Sequence, residues 1–272
     1  MPPHLEISPS DLAGLTGLAT APDIVDVRID EDFDADPRIL PAARRRSHAS
    51  ASAWAAEYAG RSLVVVCQKG LKLSHGTAAL LRHAGVKAVA LGGGFEAWRD
   101  GDGLLVRTAS LPPSDEAGRT VWVTRTRPKV DRIACPWLIR RFVDARAVFL
   151  FVPAGEVAAV AERFGAAAFD VEGAFWGHRG DRCTFDAIIA ELDLRSEALD
   201  HLATIVRAAD TSRPELAPEA AGLLAASRGL SLLCDDDLEQ LAAGMTLYDA
   251  LYRWCVDAAA AARAPSVQAL SA

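Results

Sequence analysis

Two stretches of this 272-residue sequence place chemically able side chains close together. The first is "LVVVCQKGLKLSHGTAALL", residues 63 to 81. A run of β-formers leads into Cys67, a loop with one glycine and two lysines follows, and the chain then reads as a helix. Such a strand-to-helix loop turns successive backbone N–H groups inward and forms an anion nest. The following helix adds the positive end of its dipole. A thiol there is drawn toward thiolate, and Lys69 and Lys72 act in the same direction. Gly70 supplies the backbone freedom that the curl requires. Two anion chemistries use a cysteine cradle. Cysteine phosphatases add an arginine fork six residues on, and that position here is Leu73. Sulfur transfer needs no fork, and the loop Cys67-Gln68-Lys69-Gly70-Leu71-Lys72 can hold a persulfide among its N–H groups.

The second stretch is "FDVEGAFWGHRGDRCTFDAIIAEL", 169 to 192, which carries Asp170, Glu172, His178, Asp181, Cys183 and Asp186. A strand ending in carboxylates and a glycine loop with a histidine could hold a metal or work as acid and base. Glu172 and His178 could reach one ion, with Asp210 joining from a helix end, and such donors suit zinc, iron or manganese. The spacing matches no local metal signature, and His178 reads equally as an ordinary loop residue, with Cys183 or Thr184 as a helix cap. Upstream, "RPKVDRIACPWLIRRF" packs basic residues, Arg132 among them, around Cys135-Pro136-Trp137. If Pro136 takes the first helical position, Cys135 is the cap and its thiol pKa falls; otherwise Cys135 is a buried thiol in a packed helix. Arg140, Arg141 and Arg146 read as a solvated face or as a funnel for a tetrahedral dianion. Asp26 and Arg28 read as a buried structural pair or as catalytic groups.

Elements that would carry these residues follow from pattern. Strands at 23–27, 62–67 and 87–91 alternate with helices in "SPSDLAGLTG", "SASAWAAEYAG", "GTAALLRHAG" and "FEAWRDG". That alternation predicts an α/β domain over 1–108, a parallel sheet with helices on both faces and a site beyond the carboxyl ends of its strands. "ASLPPSDEAGR", 109 to 119, reads as a linker. Residues 120–272 predict a mostly helical α+β domain: strands at 120–126, 147–153 and 167–173, and helices near 136–144, 154–164, 184–192, 196–209, 217–229 and 236–261. The end, "AAAAARAPSVQALSA", reads as a frayed tail.

Composition excludes several classes. The chain is 51% apolar, enough for a sizeable core, yet has no unbroken apolar run of membrane-spanning length. The start "MPPHLEISPSDLAGL" lacks a signal core, which predicts a cytoplasmic protein. A net charge of −7 argues against a broad nucleic-acid surface. Five cysteines without a C-x-x-C pair argue against a disulfide framework or a zinc finger.

Residues 5 to 107 resemble a single rhodanese domain. "DIVDVR" matches the family's Asp-Val-Arg strand, "CQKGLK" its cysteine loop, and "LGGGFEAW" its closing Gly-Gly-x-x-x-Trp motif. "ILPAA" stands where the family has His-x-Pro-Gly-Ala, and Lys72-Leu73 where it has arginine-serine. The resemblance implies a thiosulfate-type sulfurtransferase with Cys67 as nucleophile, a small anionic sulfur donor, a thiol acceptor, and no cofactor for the transfer itself. "RIACPWLIRRF", "FLFVP", "FDVEGAFWGHRGDRCTFD", "IVRAADT", "AAGLLAASRGLS" and "MTLYDALYRWC" resemble the C-terminal domain of the chromate-resistance ChrB family. That resemblance implies a link to chromate or oxidative-stress resistance, with chromate or a metal ion as ligand. Regulatory members of that family carry a DNA-binding-like N-terminal part, and here the rhodanese-like segment stands in its place. The two expectations are a sulfurtransferase coupled to resistance and, alternatively, a non-catalytic metal or oxyanion sensor.

Overall fold

The structure, a computed structural model, describes residues 5–263. The first half runs Glu6–Ile7 (β1), Pro9–Leu15 (α1), Asp23–Asp26 (β2), Asp30–Ala35 (α2), Arg38–Ile39 (β3), Arg44–Arg45 (β4), Ala51–Trp54 (α3), Ser62–Val66 (β5), Lys72–His83 (α4), Lys87–Leu91 (β6), Gly94–Asp100 (α5) and Val106–Arg107 (β7). Five strands form one parallel sheet in the order β1-β6-β5-β2-β4. β5 is central and buried on both faces, which is why its sequence is an unbroken apolar run rather than an alternation. Val64 and Val66 pack on one side; Leu63, Val65 and Cys67 pack on the other with Trp54, Tyr58 and Leu81. α1 begins where Ser8 accepts the Asp11 N–H at 3.1 Å and Pro9 fixes the first turn. The acidic segment after Arg28 folds as α2, its Asp30 paired with Arg45 at 2.8 Å.

The second half runs Val121–Arg125 (β8), Asp131–Leu138 (α6), Val148–Val152 (β9), Val157–Phe164 (α7), Ala167–Ala168 (β10), Thr184–Leu192 (α8), Glu197–Asp210 (α9), Ala220–Leu233 (α10) and Asp237–Arg263 (α11). Its three-stranded parallel sheet has the order β10-β8-β9. The helices pack around a core of Trp122, Trp137, Phe142, Phe169, Phe185 and Tyr248.

Three sequence expectations need correction. The helix predicted from 136 starts at Asp131, places Pro136 inside, and passes into a π-helical turn over Ile139–Val143. A proline within a helix frees a carbonyl and perturbs the ladder, and the wide turn follows directly. The strand predicted over 167–173 stops at Ala168 because Asp170 turns to φ +52°, a conformation that aspartate tolerates better than most residues. The predicted fraying from 258 does not hold through Arg263, where the helix continues; residues 264–272 lie outside the described part.

The segment 109–119 is held at several points. Asp115 pairs with Arg119 at 2.7 Å, and Arg146 donates to the Ala117 and Gly118 carbonyls at 2.8 and 2.9 Å. Across it the halves share one apolar cluster, with Phe95 and Trp98 from the first and Trp122 and Phe142 from the second. The Ala42 N–H donates to the Phe142 carbonyl at 2.7 Å. Gly17 faces the rings of Phe142 and Tyr252 where no Cβ would fit.

Candidate functional site

Cys67 follows the central strand at its carboxyl end. Its side chain is 4% exposed, and its thiol donates to the Ser74 hydroxyl at 3.2 Å. Ser74 in turn donates to the Leu71 carbonyl at 3.1 Å, so loop and first helical turn are braced together. Gly70 sits at φ +65°, as the curl requires. Beneath the loop lies the Gly92-Gly93-Gly94 turn. A Cβ on Gly70 would meet Gly93 N, Gly94 N and Leu91 O at 2.6 Å each, so both segments must be bare at this crossing. The Phe95 N–H donates to the Cys67 carbonyl at 2.9 Å and the Glu96 N–H to the Gln68 carbonyl at 3.0 Å. Among the described residues, the N–H groups of Gln68, Lys69, Gly70 and Leu71 donate to no protein acceptor. No side chain caps α4, so its first-turn donors are open as well. Lys69, Leu71 and Lys72 are exposed on the outer side of the loop. A thiol enclosed by unused N–H donors at the start of a 12-residue helix can hold an anionic sulfur adduct.

Asp26 and Arg28 form the structural pair. Their side chains are fully buried at 2.7 Å, Arg28 lies 3.8 Å over the Phe95 ring centroid, and it donates to the carbonyls of Asp36 and Arg38. Each nitrogen of this guanidinium thereby has an acceptor.

The second cluster centres on His178. Its Nε2 lies 3.5 Å from Asp131 Oδ2, 3.3 Å from Asp170 Oδ1 and 3.2 Å from Asp210 Oδ2. Asp131 opens α6, Asp170 ends the stretch after β10, and Asp210 closes α9, so three elements deliver the carboxylates. Asp131 is fully buried and accepts the N–H groups of Thr184 and Phe185 at 2.6 and 3.3 Å, at the N-terminus of α8. The Thr184 hydroxyl donates to Asp170 Oδ1 at 2.9 Å. Asp170 Oδ2 faces Arg132 at 3.3 Å and Arg125 at 3.6 Å. A hydrogen bond to Asp131, together with the charges of Asp131, Asp210 and Asp170, pushes the His178 pKa up to about 9 against the opposing cost of burial. Burial and the neighbouring carboxylates Asp131 and Asp170 push Asp210 up to about 7. The residue before Asp131, Val130, has φ +32°, a strained value for a β-branched side chain.

The sequence candidates fall out as follows. His178 and Asp210 come together. Glu172 is exposed on the loop and lines a cavity of about 400 Å³ with Arg125, Asp170 and His178, but is not one of the clustered donors. The turn at Asp170 directs the chain away from the cluster before residue 172. Cys135 is not a cap: it lies within α6, fully buried, and burial raises its pKa well above the ordinary range. Cys183 is the N-cap of α8, its N–H donating to Asp186 at 3.1 Å, and burial pushes its thiol pKa up too. Arg132 flanks the cluster through Asp170. Arg140, Arg141 and Arg146 do not converge: Arg140 lies over Phe149, Arg141 pairs with Asp249 at 2.7 Å, and Arg146 holds the 117–118 carbonyls. Sequence reading missed Asp131, which lies 39 positions before Asp170. Its signal was an acidic residue in the first turn of a helix, visible only once α6 is known to start there.

Comparison with known proteins finds two family models that match the chain. The family model for the rhodanese-like domain matches residues 8–100, and that for the ChrB C-terminal domain matches 122–255. Protein ChrB of Cupriavidus metallidurans is 36% identical over 118 residues, which are 43% of this chain and 35% of that protein, so the chain spans about a third of that relative's length. Among solved structures, a rhodanese-like domain protein from Staphylococcus aureus is 26% identical, with a TM-score of 0.31, over 34% of this chain and 89% of that one. A rhodanese-related protein from Thermoplasma volcanium is 19% identical, with a TM-score of 0.33, over 37% of this chain and 96% of that one. Among the described residues no helix is long and apolar enough to cross a membrane. The chain therefore carries a rhodanese-like domain over residues 8–100, followed by a ChrB C-terminal domain over residues 122–255.

Proposed function

We propose that the chain is a cytoplasmic sulfurtransferase that forms a persulfide on Cys67 and serves chromate or oxidative-stress resistance through its ChrB domain. The observation that carries this reading is the enclosed Cys67 thiol, 3.2 Å from Ser74, in a loop whose own N–H groups are unused. The Cys67 thiolate attacks the outer sulfur of an anionic donor such as thiosulfate. The S–S bond of the donor breaks, sulfite leaves with the bonding pair, and Cys67 carries the sulfane sulfur. The loop donors and the open end of α4 hold the negative charge of the persulfide. An acceptor thiol, or cyanide in the assay, then attacks the terminal sulfur and returns Cys67 to thiolate. Lys69 and Lys72, exposed beside the loop, draw the donor anion. The test is thiosulfate:cyanide sulfur transfer by the purified chain and by Cys67→Ser, alongside chromate resistance of cells carrying each. Loss of both in the variant supports the reading.

The His178 cluster favours a second reading, a non-catalytic sensor of a metal or an oxyanion. Full chromate resistance in Cys67→Ser cells would select it.

A further inference from the structure

We propose that Asp131, Asp170 and His178, with Asp210 as fourth donor, form a binding site for a first-row divalent cation. Their ligand atoms lie within 4.8 Å of one another for the first three, and Asp210 Oδ2 is 3.2 Å from His178 Nε2.

The spacing is that of a coordination shell. With bonds of about 2.1 Å, neighbouring donors lie roughly 3.0 Å apart around an octahedral ion and roughly 3.4 Å apart around a tetrahedral one. The separations of 3.2, 3.3 and 3.5 Å from Nε2 fall along those edges. A ring nitrogen carries one proton and can donate it along one direction. Three carboxylate oxygens face that nitrogen, and a central cation serves all of them together.

The carboxylates are positioned from behind. Thr184 anchors two of them, its N–H to Asp131 and its hydroxyl to Asp170. Arg132 and Arg125 occupy Asp170 Oδ2 and leave Oδ1 turned to the histidine. Partners of this kind fix ligand orientation in metal sites. The cavity lined by Glu172, Gly177 and His178 gives an ion a way in from solvent.

The donor set selects the ion class. Carboxylates with one imidazole suit manganese, iron or zinc rather than a thiophilic ion. The nearby thiols Cys135 and Cys183 are buried and held protonated, so they do not compete as ligands.

The site stands apart from the sulfur chemistry, and the experiment keeps the two distinct. Full-length protein is stripped with chelator and titrated with Mn²⁺, followed by electron paramagnetic resonance, and with Zn²⁺, followed by calorimetry. Stoichiometric binding of at least one ion is expected in the parent chain, in Cys67→Ser and in Glu172→Ala. His178→Ala should weaken it by more than about tenfold, and Asp210→Asn in the same direction. His178 and Asp210 are chosen because Asp131 caps α8 and its removal could unfold the region; circular dichroism confirms the fold of each variant. Absence of binding for both ions, or equal affinity in the parent, His178→Ala and Asp210→Asn, overturns the proposal.

Discussion

The Phe95 N–H donates to the Cys67 carbonyl at 2.9 Å, so the nucleophile's own backbone is tied to the triple-glycine turn. The loop and the turn form one rigid unit in which Gly70 and Gly94 both hold positive φ and face each other without side chains. The geometry of the cysteine cradle therefore depends on residues more than twenty positions downstream.

Gly70→Ala tests that dependence. Its Cβ would meet three backbone atoms at 2.6 Å, and none can move as a side chain would. A strained φ alone costs about 1 kcal/mol, and the clash adds to it. The variant is expected to lose sulfur transfer and at least about 2 kcal/mol of stability in chemical denaturation. Gly14→Ala, in open space at an exposed helical position, should leave sulfur transfer unchanged and raise stability by about 0.5–1 kcal/mol.

Ser74 is the positioning residue for the thiol. Removing its hydroxyl in Ser74→Ala deletes two hydrogen bonds, from the Cys67 thiol and to the Leu71 carbonyl; at about 0.5–1.5 kcal/mol each, the loss at the thiol alone is a roughly two- to tenfold effect. The expected result is slower persulfide formation with a nearly unchanged KM for thiosulfate, and restoration by Ser74→Thr. A change confined to KM would contradict this role.

Alkaline stability reports on the seam between the halves. Tyr252 donates to the Thr16 carbonyl at 3.4 Å and packs against Trp137 and Phe142, with Cys255 buried one turn on. Burial pushes the Tyr252 hydroxyl from 10.0 to about 12 and the Cys255 thiol from 9.0 to about 12. Both groups lose their protons more readily in the unfolded chain. Their contribution is complete below about pH 9 and declines as pH rises toward 12. A shift of this size is worth about 3 kcal/mol for Tyr252. Denaturation midpoints measured at rising pH should fall across that window, and Tyr252→Phe should flatten the decline. A profile level to pH 11, within that window, would count against it.

The two sites differed in how far sequence alone could describe them. The Cys67 loop was readable because strand, loop and helix are consecutive, and the rules for such a junction are local. α8 and β6 were predicted at their observed bounds for the same reason, since a capped helix and a flanked apolar strand carry their own signals. The His178 cluster was only half visible. Its donors come from α6, from the turn after β10, from the glycine loop and from the end of α9, and proximity in sequence favoured Glu172 over Asp131. The decisive event is the turn at Asp170, which ends the strand early and sends Glu172 to the surface. The cap reading of Cys135 arose because proline marks first turns more often than helix interiors, and the alternative, a buried thiol within a packed helix, is the one found. Here tertiary packing of Trp137 and Phe142 carries the helix across Pro136.

The central claim is that Cys67 carries sulfur. The most direct measurement is the intact mass of the full-length protein after exposure to thiosulfate, read before and after cyanide, for the parent chain and for Cys67→Ser. The account predicts a gain of one sulfur atom in the parent, its removal by cyanide with release of thiocyanate, and no gain in Cys67→Ser. A parent chain that gains nothing, or a Cys67→Ser variant that gains the same mass, would contradict it.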